Sequence, residues 1–118
     1  MKKNLSLEKI KDERRKSRLD KIATLIKKAV AEIFLKLDFN DSDGKNILLF
    51  VSNVTLSADG KSAIVFVESI QDYSTDWLFD LIQKNSVKIK KLFSSKIDLR
   101  YTPKLKFEIS KSQKLNSK

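Results

Sequence analysis

The feature that most constrains the fold of this 118-residue chain is a switch in the period of its apolar residues. From Ser17 onward Leu19, Ile22, Ile26, Ala29, Ile33 and Leu37 recur at spacings of three and four, and Val30 and Phe34 widen the stripe; a weak capping signal at Ser6-Leu7-Glu8-Lys9 offers a start as early as Ser6. That spacing buries one face of a helix. Two runs follow that are rich in β-branched and aromatic residues: Ile47–Val51 leading into Asn53–Leu56, then Ala63–Val67. Such runs read as strands. Between them Ala58-Asp59-Gly60-Lys61 carries the Asp-Gly signal of a tight turn, so a hairpin is expected. Helical spacing returns at Leu78, Leu81, Ile82, Ile89, Leu92, Phe93 and Ile97, and strict alternation returns at Leu105, Phe107 and Ile109. The predicted order is helix, strand, strand, helix, strand. This is an α+β domain with a three-stranded sheet covered by helices on one face.

Punctuation between the elements supports this order. Asn40-Asp41-Ser42-Asp43-Gly44 breaks the chain after the first helix. Its acids are spaced faintly like the start of a calcium loop. There is no Glu at the twelfth position and the Gly comes too early, so it reads as a plain loop. Ser74 or Thr75 can cap the second helical unit, with Asp76 and Asp80 in its first turns. Within that unit the stripe wants an apolar residue at position 85 and finds Asn85. Asn85 and Ser86 are weak helix formers, and Val87 shifts the phase. A kink at Asn85-Ser86-Val87 is expected, with the second half ending at Asp98 ahead of Pro103. Residues 1–16 are set apart as a basic extension expected to fray, residues 17–110 as the domain, and residues 111–118 as a flexible tail.

The chemistry available is narrow. The chain has no Cys and no His, which removes disulfides, thiolate zinc sites and the usual nucleophile–base pairs. Two isolated glycines cannot form a phosphate-cradling loop. Asp41 with Asp43, and Asp76 with Asp80, are paired carboxylates explained by a turn and a helix start. No enzyme activity, cofactor, metal or small-molecule substrate is expected. No apolar run approaches the ~20 residues of a membrane span, and no apolar signal core follows Met1, so a cytoplasmic, monomeric protein is expected.

The charge points to the partner. Lys and Arg outnumber Asp and Glu by 25 to 15, for a net charge of +10. The excess is segregated: residues 1–37 carry +7, residues 38–80 carry −6, and residues 81–118 carry +9. If the flanks meet in space, one side of the domain is positive and the acidic loops 40–44 and 72–76 point away from it. A one-sided positive face suits a polyanion, RNA above all. The candidate phosphate contacts are Arg14, Arg15, Lys16 and Arg18, then Lys21, Lys27 and Lys28 on the first helix. On the kinked helix they are Lys84, Lys88 and Lys91, sharing a face with Ser95, together with Lys90. Arg100 and Lys104 follow. Seven Phe mostly suit core positions and Trp77 suits a core lid, leaving Tyr73 and Tyr101 as the exposed rings. Recognition by shape and backbone is therefore expected over base stacking on an open sheet. The alternatives are a general RNA- or DNA-binding protein, or a basic peripheral membrane or protein-interaction module. The membrane reading needs an apolar face on the first helix that the core has not used.

Three segments resemble the ribosome-binding factor A family. Leu99-Arg100-Tyr101-Thr102-Pro103-Lys104-Leu105-Lys106-Phe107 resembles its Leu-Arg-x-x-Pro-x-Leu-x-Phe ending. Val54–Val67 resembles its hairpin, with Val before the turn, Asp at the turn and Ala-x-Val-x-Val after it. Arg18-Leu19-Asp20-Lys21-Ile22 resembles the opening of its first helix. The resemblance covers about residues 17–110. It implies a KH-like fold of the second type, in which a helix-kink-helix replaces the Gly-rich RNA loop. It further implies binding to the small (30S) ribosomal subunit and its 16S rRNA during late maturation and rRNA processing, with a link to cold adaptation. The family commonly has Ala-x-Gly at the kink, where this chain has Asn85-Ser86-Val87.

Overall fold

The computed structural model describes residues 2–97 and 101–110, with the side chains of the first helix described at Arg14 and from Lys16 on. The elements are α1 (Lys2–Lys36), β1 (Leu49–Leu56), β2 (Ser62–Ser69), α2 (Thr75–Lys84), α3 (Ser86–Lys96) and β3 (Lys104–Ile109). This is the predicted order. The first helix is longer than the apolar stripe that announced it. It begins at Lys2, so the segment set apart as a frayed extension is helical from that residue on. Neither Gly nor Pro occurs before Gly44, and residues 2–16 are rich in Lys, Glu, Leu and Arg, which lose little rotamer freedom in a helix.

The strands form one sheet in the order β1-β2-β3. β1 and β2 are antiparallel, and β3 runs parallel to β2. The turn between β1 and β2 uses Gly60 at φ +74°, a conformation costly for residues with a Cβ. Ser57 and Asp59 complete that turn: Lys61 N–H donates to Asp59 Oδ1 at 3.0 Å.

One irregularity decides which residues face the core. The β1–β2 register slips between Val51 and Asn53, leaving Ser52 as an extra residue whose hydroxyl donates to the Phe66 carbonyl at 3.2 Å. This bulge lets Val51 and Val54, three apart, both face inward. Ala63, Val65 and Val67 from β2 join them, with Leu105 and Phe107 from β3.

All three helices cover this one face. α1 contributes Ile26, Ala29, Val30, Ile33 and Phe34, and α2 contributes Leu78 and Ile82. α3 contributes Ile89 and Phe93. Phe34 packs edge-on against Phe39, with ring centroids 5.5 Å apart, and lies 6.5 Å from Phe107. Four of the seven Phe are thus core residues. Phe50 and Phe79 are exposed and Phe66 is half-buried on the uncovered face of the sheet. The stripe of α1 that a membrane would need is buried in the protein. No helix among the described residues is long and apolar enough to cross a membrane.

The helical break is confined to Asn85; Ser86 and Val87 already belong to α3. α3 ends at Lys96 with Ile97 as its cap, and residue 98, the expected end, lies outside the described residues. Ser74 caps α2, its hydroxyl accepting from the Trp77 N–H at 3.2 Å.

Candidate nucleic-acid interface

The two basic flanks meet where α1 packs on α3. Lys96 of α3 donates to Glu32 of α1 at 2.8 Å, the one ion pair among the described residues. This contact, with Lys28 and Lys36 nearby, holds the Glu32 carboxyl below its ordinary range. Lys28 and Lys96 line one shallow hollow between the helices with Leu25 and Ile97. The sequence shows neither Glu32 nor Lys96 as a junction, because contacts across 64 positions leave no mark in local spacing.

The remaining candidates fall into groups. Arg14, Lys16, Arg18, Lys21 and Lys27 are exposed along α1, while the Arg15 side chain is outside the described residues. Lys88, Lys90 and Lys91 are exposed on α3. Lys90 shares a cleft with Lys104 and with Lys106, a cation not among the candidates above. Lys106 alternates along β3, which reads as strand patterning and hides its place beside α3. Arg100 is outside the described residues. Apart from Lys96, no described Lys or Arg is ion-paired, so their charge is available to an outside anion.

Lys84 stands apart. It ends α2, before the break, and lines a hollow with Asp41, Asp80, Trp77 and Leu81. The acidic loop 40–44 thus adjoins Lys84, although Lys88 and Lys91 continue on α3. That loop is built around Asp41. Its Oδ1 accepts from the N–H groups of Asp43 at 2.9 Å and Lys45 at 2.8 Å, and its Oδ2 accepts from the Tyr73 hydroxyl at 3.0 Å. These bonds, the Lys45 N–H foremost, hold the Asp41 carboxyl below its ordinary range. Burial and the same carboxylate push the Tyr73 hydroxyl up. Tyr73 is therefore not the exposed ring expected: it is half-buried and stacks on Trp77 at 4.8 Å. Trp77 is 36% exposed, so it lies over Tyr73 rather than closing the core. Tyr101 is exposed, as expected. No group of acidic side chains that could hold a metal ion occurs among the described residues.

Residues 18–118 match the family described as Ribosome-binding factor A. The chain belongs to the ribosome-binding factor A family. A relative from Zymomonas mobilis, a ribosome-binding factor A, is 28% identical over 87 residues. Those residues are 74% of this chain and 62% of that one. This member of the family therefore spans less than two thirds of the length of that curated relative. Among solved structures it is similar to the crystal structure of ribosome-binding factor A from Thermus thermophilus. The TM-score is 0.64 at 22% identity, covering 77% of this chain and 93% of that one. It also resembles the T. thermophilus factor as fitted into a cryo-EM map of a 30S–ribosome-binding factor A complex. Here the TM-score is 0.55 at 24% identity, covering 71% and 86% of the two chains. The ribosome-binding factor A fold is KH-like, and the order of elements here is that fold. In this member the break between α2 and α3 is made by Asn85 alone.

Proposed function

We propose that this protein is a ribosome assembly factor that docks on the immature small subunit and contacts the backbone of 16S rRNA. The observation that carries this reading is the meeting of two basic flanks at the α1–α3 junction, with their described cations unpaired except at Lys96. Membership of a family named for ribosome binding supports it, as does the likeness in fold to a factor fitted into a 30S complex.

The mechanism is electrostatic docking followed by a choice between rRNA conformers. Exposed lysines release counterions from phosphates and supply affinity that falls steeply with salt. The protein then shifts an rRNA folding equilibrium by the difference in its affinity for the two conformers, and by no more. Assistance to late 16S rRNA folding or processing follows from that difference, in the cytoplasm and most visibly in the cold, where misfolded RNA escapes slowly.

Co-sedimentation of the purified protein with ribosomal particles on a density gradient tests the docking. At low salt the protein should travel with small subunits, with a preference for immature ones. Recovery only in the unbound fractions would refute it.

A further inference from the structure

We propose that the uncovered face of the sheet pairs with the same face of a second copy of this chain, turned about a two-fold axis that crosses the strands, to form a weak dimer. The pairing sets Ile64 over the partner's Phe66 and Lys106 over the partner's Glu108.

The buried side chains of the sheet point to the helices, so the residues that alternate with them stand on the other face. The strand register sets them in rows. Thr55, Ile64 and Lys106 make one row, and Asn53, Phe66 and Glu108 make the next. Phe50 and Glu68 follow. Leu48 and Ile70 extend the face, the Ile70 N–H donating to the Leu48 carbonyl at 3.2 Å. The bulge at Ser52 keeps Phe50 and Asn53 on this side, as it keeps Val51 and Val54 on the other. Phe50 is 42% exposed, Leu48 49% and Ile70 70%, beside half-buried Ile64 and Phe66. A contiguous apolar patch of this kind marks an interaction surface, where a single exposed Leu would not.

The charges of this face select both the partner and the axis. Lys104 and Lys106 stand at one end of it, Glu68 and Glu108 towards the other, and none of the four is ion-paired. An axis across the strands, between the Ile64 and Phe66 rows, exchanges the two ends and lays each strand over its own copy. Lys106 then lies over the partner's Glu108, and Glu68 lies beside the partner's Lys104. Ile64 and Phe66 cover each other, and every contact occurs twice. An axis along β2 would instead put Lys106 over the partner's Thr55 and leave the charges unpaired. Stacked sheets lie about 10 Å apart, a gap that a Lys and a Glu span from opposite sides. The basic helices α1 and α3 lie behind each sheet and stay outward, which keeps the net +10 of the two copies apart and leaves the surface proposed for rRNA open. Three strands about 4.8 Å apart and about 28 Å long give roughly 400 Å² per copy. The total, roughly 800 Å², is short of the roughly 1,200–2,000 Å² of stable complexes. The dimer therefore belongs to concentrated solution, and the monomer expected from the sequence is the dilute form.

Sedimentation equilibrium of the full chain tests the pairing. The unmodified protein should be mostly dimeric at about 0.5 mM and monomeric below about 10 µM, the weak end of specific association. Lys106→Glu and Glu108→Lys each set like charges opposite one another and should each weaken association at least about tenfold. An equimolar mixture of the two variants restores both opposite-charge contacts and should associate within about threefold of the unmodified protein. The mixture has the mean charge of the unmodified protein, so its recovery reports the crossed pairing and not net charge. In the unmodified protein, amide resonances of Ile64, Phe66 and Glu108 should shift with concentration while those of α1 and α3 stay in place. A single monomeric species at about 0.5 mM overturns the proposal. Concentration-dependent shifts confined to other elements, or a mixture that associates no better than its components, also overturn it. A dimer that both variants leave unchanged overturns it too, assigning the contact to the axis along β2. Shifts of the Ile64 and Phe66 resonances only on addition of small subunits overturn it as well, assigning the face to the particle.

Discussion

If α3 carries phosphate contacts, Lys88, Lys90 and Lys91 should dominate the salt dependence of RNA binding and Lys84 should not. The three are exposed on α3 and have no ion pair, so each can neutralise one phosphate. Lys84 has no ion pair either, but it lines a hollow with Asp41 and Asp80, two carboxylates that repel a phosphate approaching there. Each phosphate contact contributes about 0.7–0.9 to the slope of log K against log salt concentration. Replacing the three α3 lysines with Ala should therefore flatten the slope by about 2.1–2.7. Referred to 1 M salt, that is an affinity loss of about 100- to 500-fold at 0.1 M. Lys84→Ala should change the slope by less than about 0.5 on the same scale. The assay is fluorescence anisotropy of a labelled fragment of 16S rRNA from about 50 to 400 mM salt, a range over which screening tightens markedly. Equal slope changes for Lys84→Ala and for each single α3 variant would show that the acidic loop does not shield Lys84. An unchanged slope in the triple variant would remove α3 from the phosphate-contacting surface.

Other expectations concern the scaffold. Ile33→Ala, at a fully buried position between α1 and the sheet, should cost about 2–5 kcal/mol, read as a lower urea midpoint at constant m. Ser74→Ala should cost about 1 kcal/mol through the lost cap on the Trp77 N–H, with Thr75→Ala as the milder control. Gly60→Ala should cost about 1–2 kcal/mol because φ is +74° there, whereas Gly60→Asn should cost less. The Asp41 carboxyl is held below its ordinary 3.8, so its contribution to stability is present above that value and is lost as pH falls through the lower folded value. Asp41→Asn should therefore flatten the acid limb of stability against pH below about pH 4. Tyr73 is raised above 10.0, so its contribution is present below about pH 10 and is lost as pH rises through the folded value. Tyr73→Phe should flatten the alkaline limb, followed by thermal melts; an unchanged acid limb in Asp41→Asn would refute the hydrogen bonds to the Asp41 carboxylate as a source of stability, and an unchanged alkaline limb in Tyr73→Phe would refute the burial and bonding of the Tyr73 hydroxyl as one.

The order of elements was legible because each strand and helix carries its own period over several residues. Ala63, Val65 and Val67 alternate, Ile26, Ala29, Ile33 and Phe34 keep helical spacing, and in both cases the patterned residues are the buried ones. The bulge at Ser52 was not legible, because a polar residue between the runs Ile47–Val51 and Asn53–Leu56 reads the same whether it lies in register or is left over. The extent of α1 was only partly legible: residues 2–16 lack a sustained apolar stripe, so only their propensity and the weak capping signal Ser6-Leu7-Glu8-Lys9 argue for a helix there. The candidate interface was legible as a set of cations but not as an arrangement. Lys84, Lys88 and Lys91 look like one face at helical spacing only while the helix is continuous. The break moves Lys84 to the end of α2, where a loop distant in sequence sets its neighbours. Lys106 was missed because alternation marks it as strand surface and says nothing of what lies beside the strand.

The break itself shows how one residue can replace a glycine-bearing kink. Asn85 sits at φ −101° and ψ 5°, in the sparsely populated bridge region that an L-residue can occupy without a positive φ. Ending α2 leaves carbonyls without intrahelical donors, and Asn85 answers them locally. Its Nδ2 donates to the Leu81 carbonyl at 2.8 Å and its backbone N–H to that of Ile82 at 3.1 Å. Its own carbonyl accepts from the Ile89 N–H at 3.0 Å, which starts α3. The side chain thus ends one helix, and the main chain starts the next, with no glycine at the break. Asn85→Ala and Asn85→Gly both remove the Nδ2 donor and leave the Leu81 carbonyl to water. Each should be less stable than the unmodified protein by about 0.5–1.5 kcal/mol, the net worth of one hydrogen bond. Chemical denaturation of both beside the unmodified protein decides it, and an Ala variant as stable as the unmodified protein would mean that α2 and α3 are held apart by packing at Ile82 and Ile89 alone.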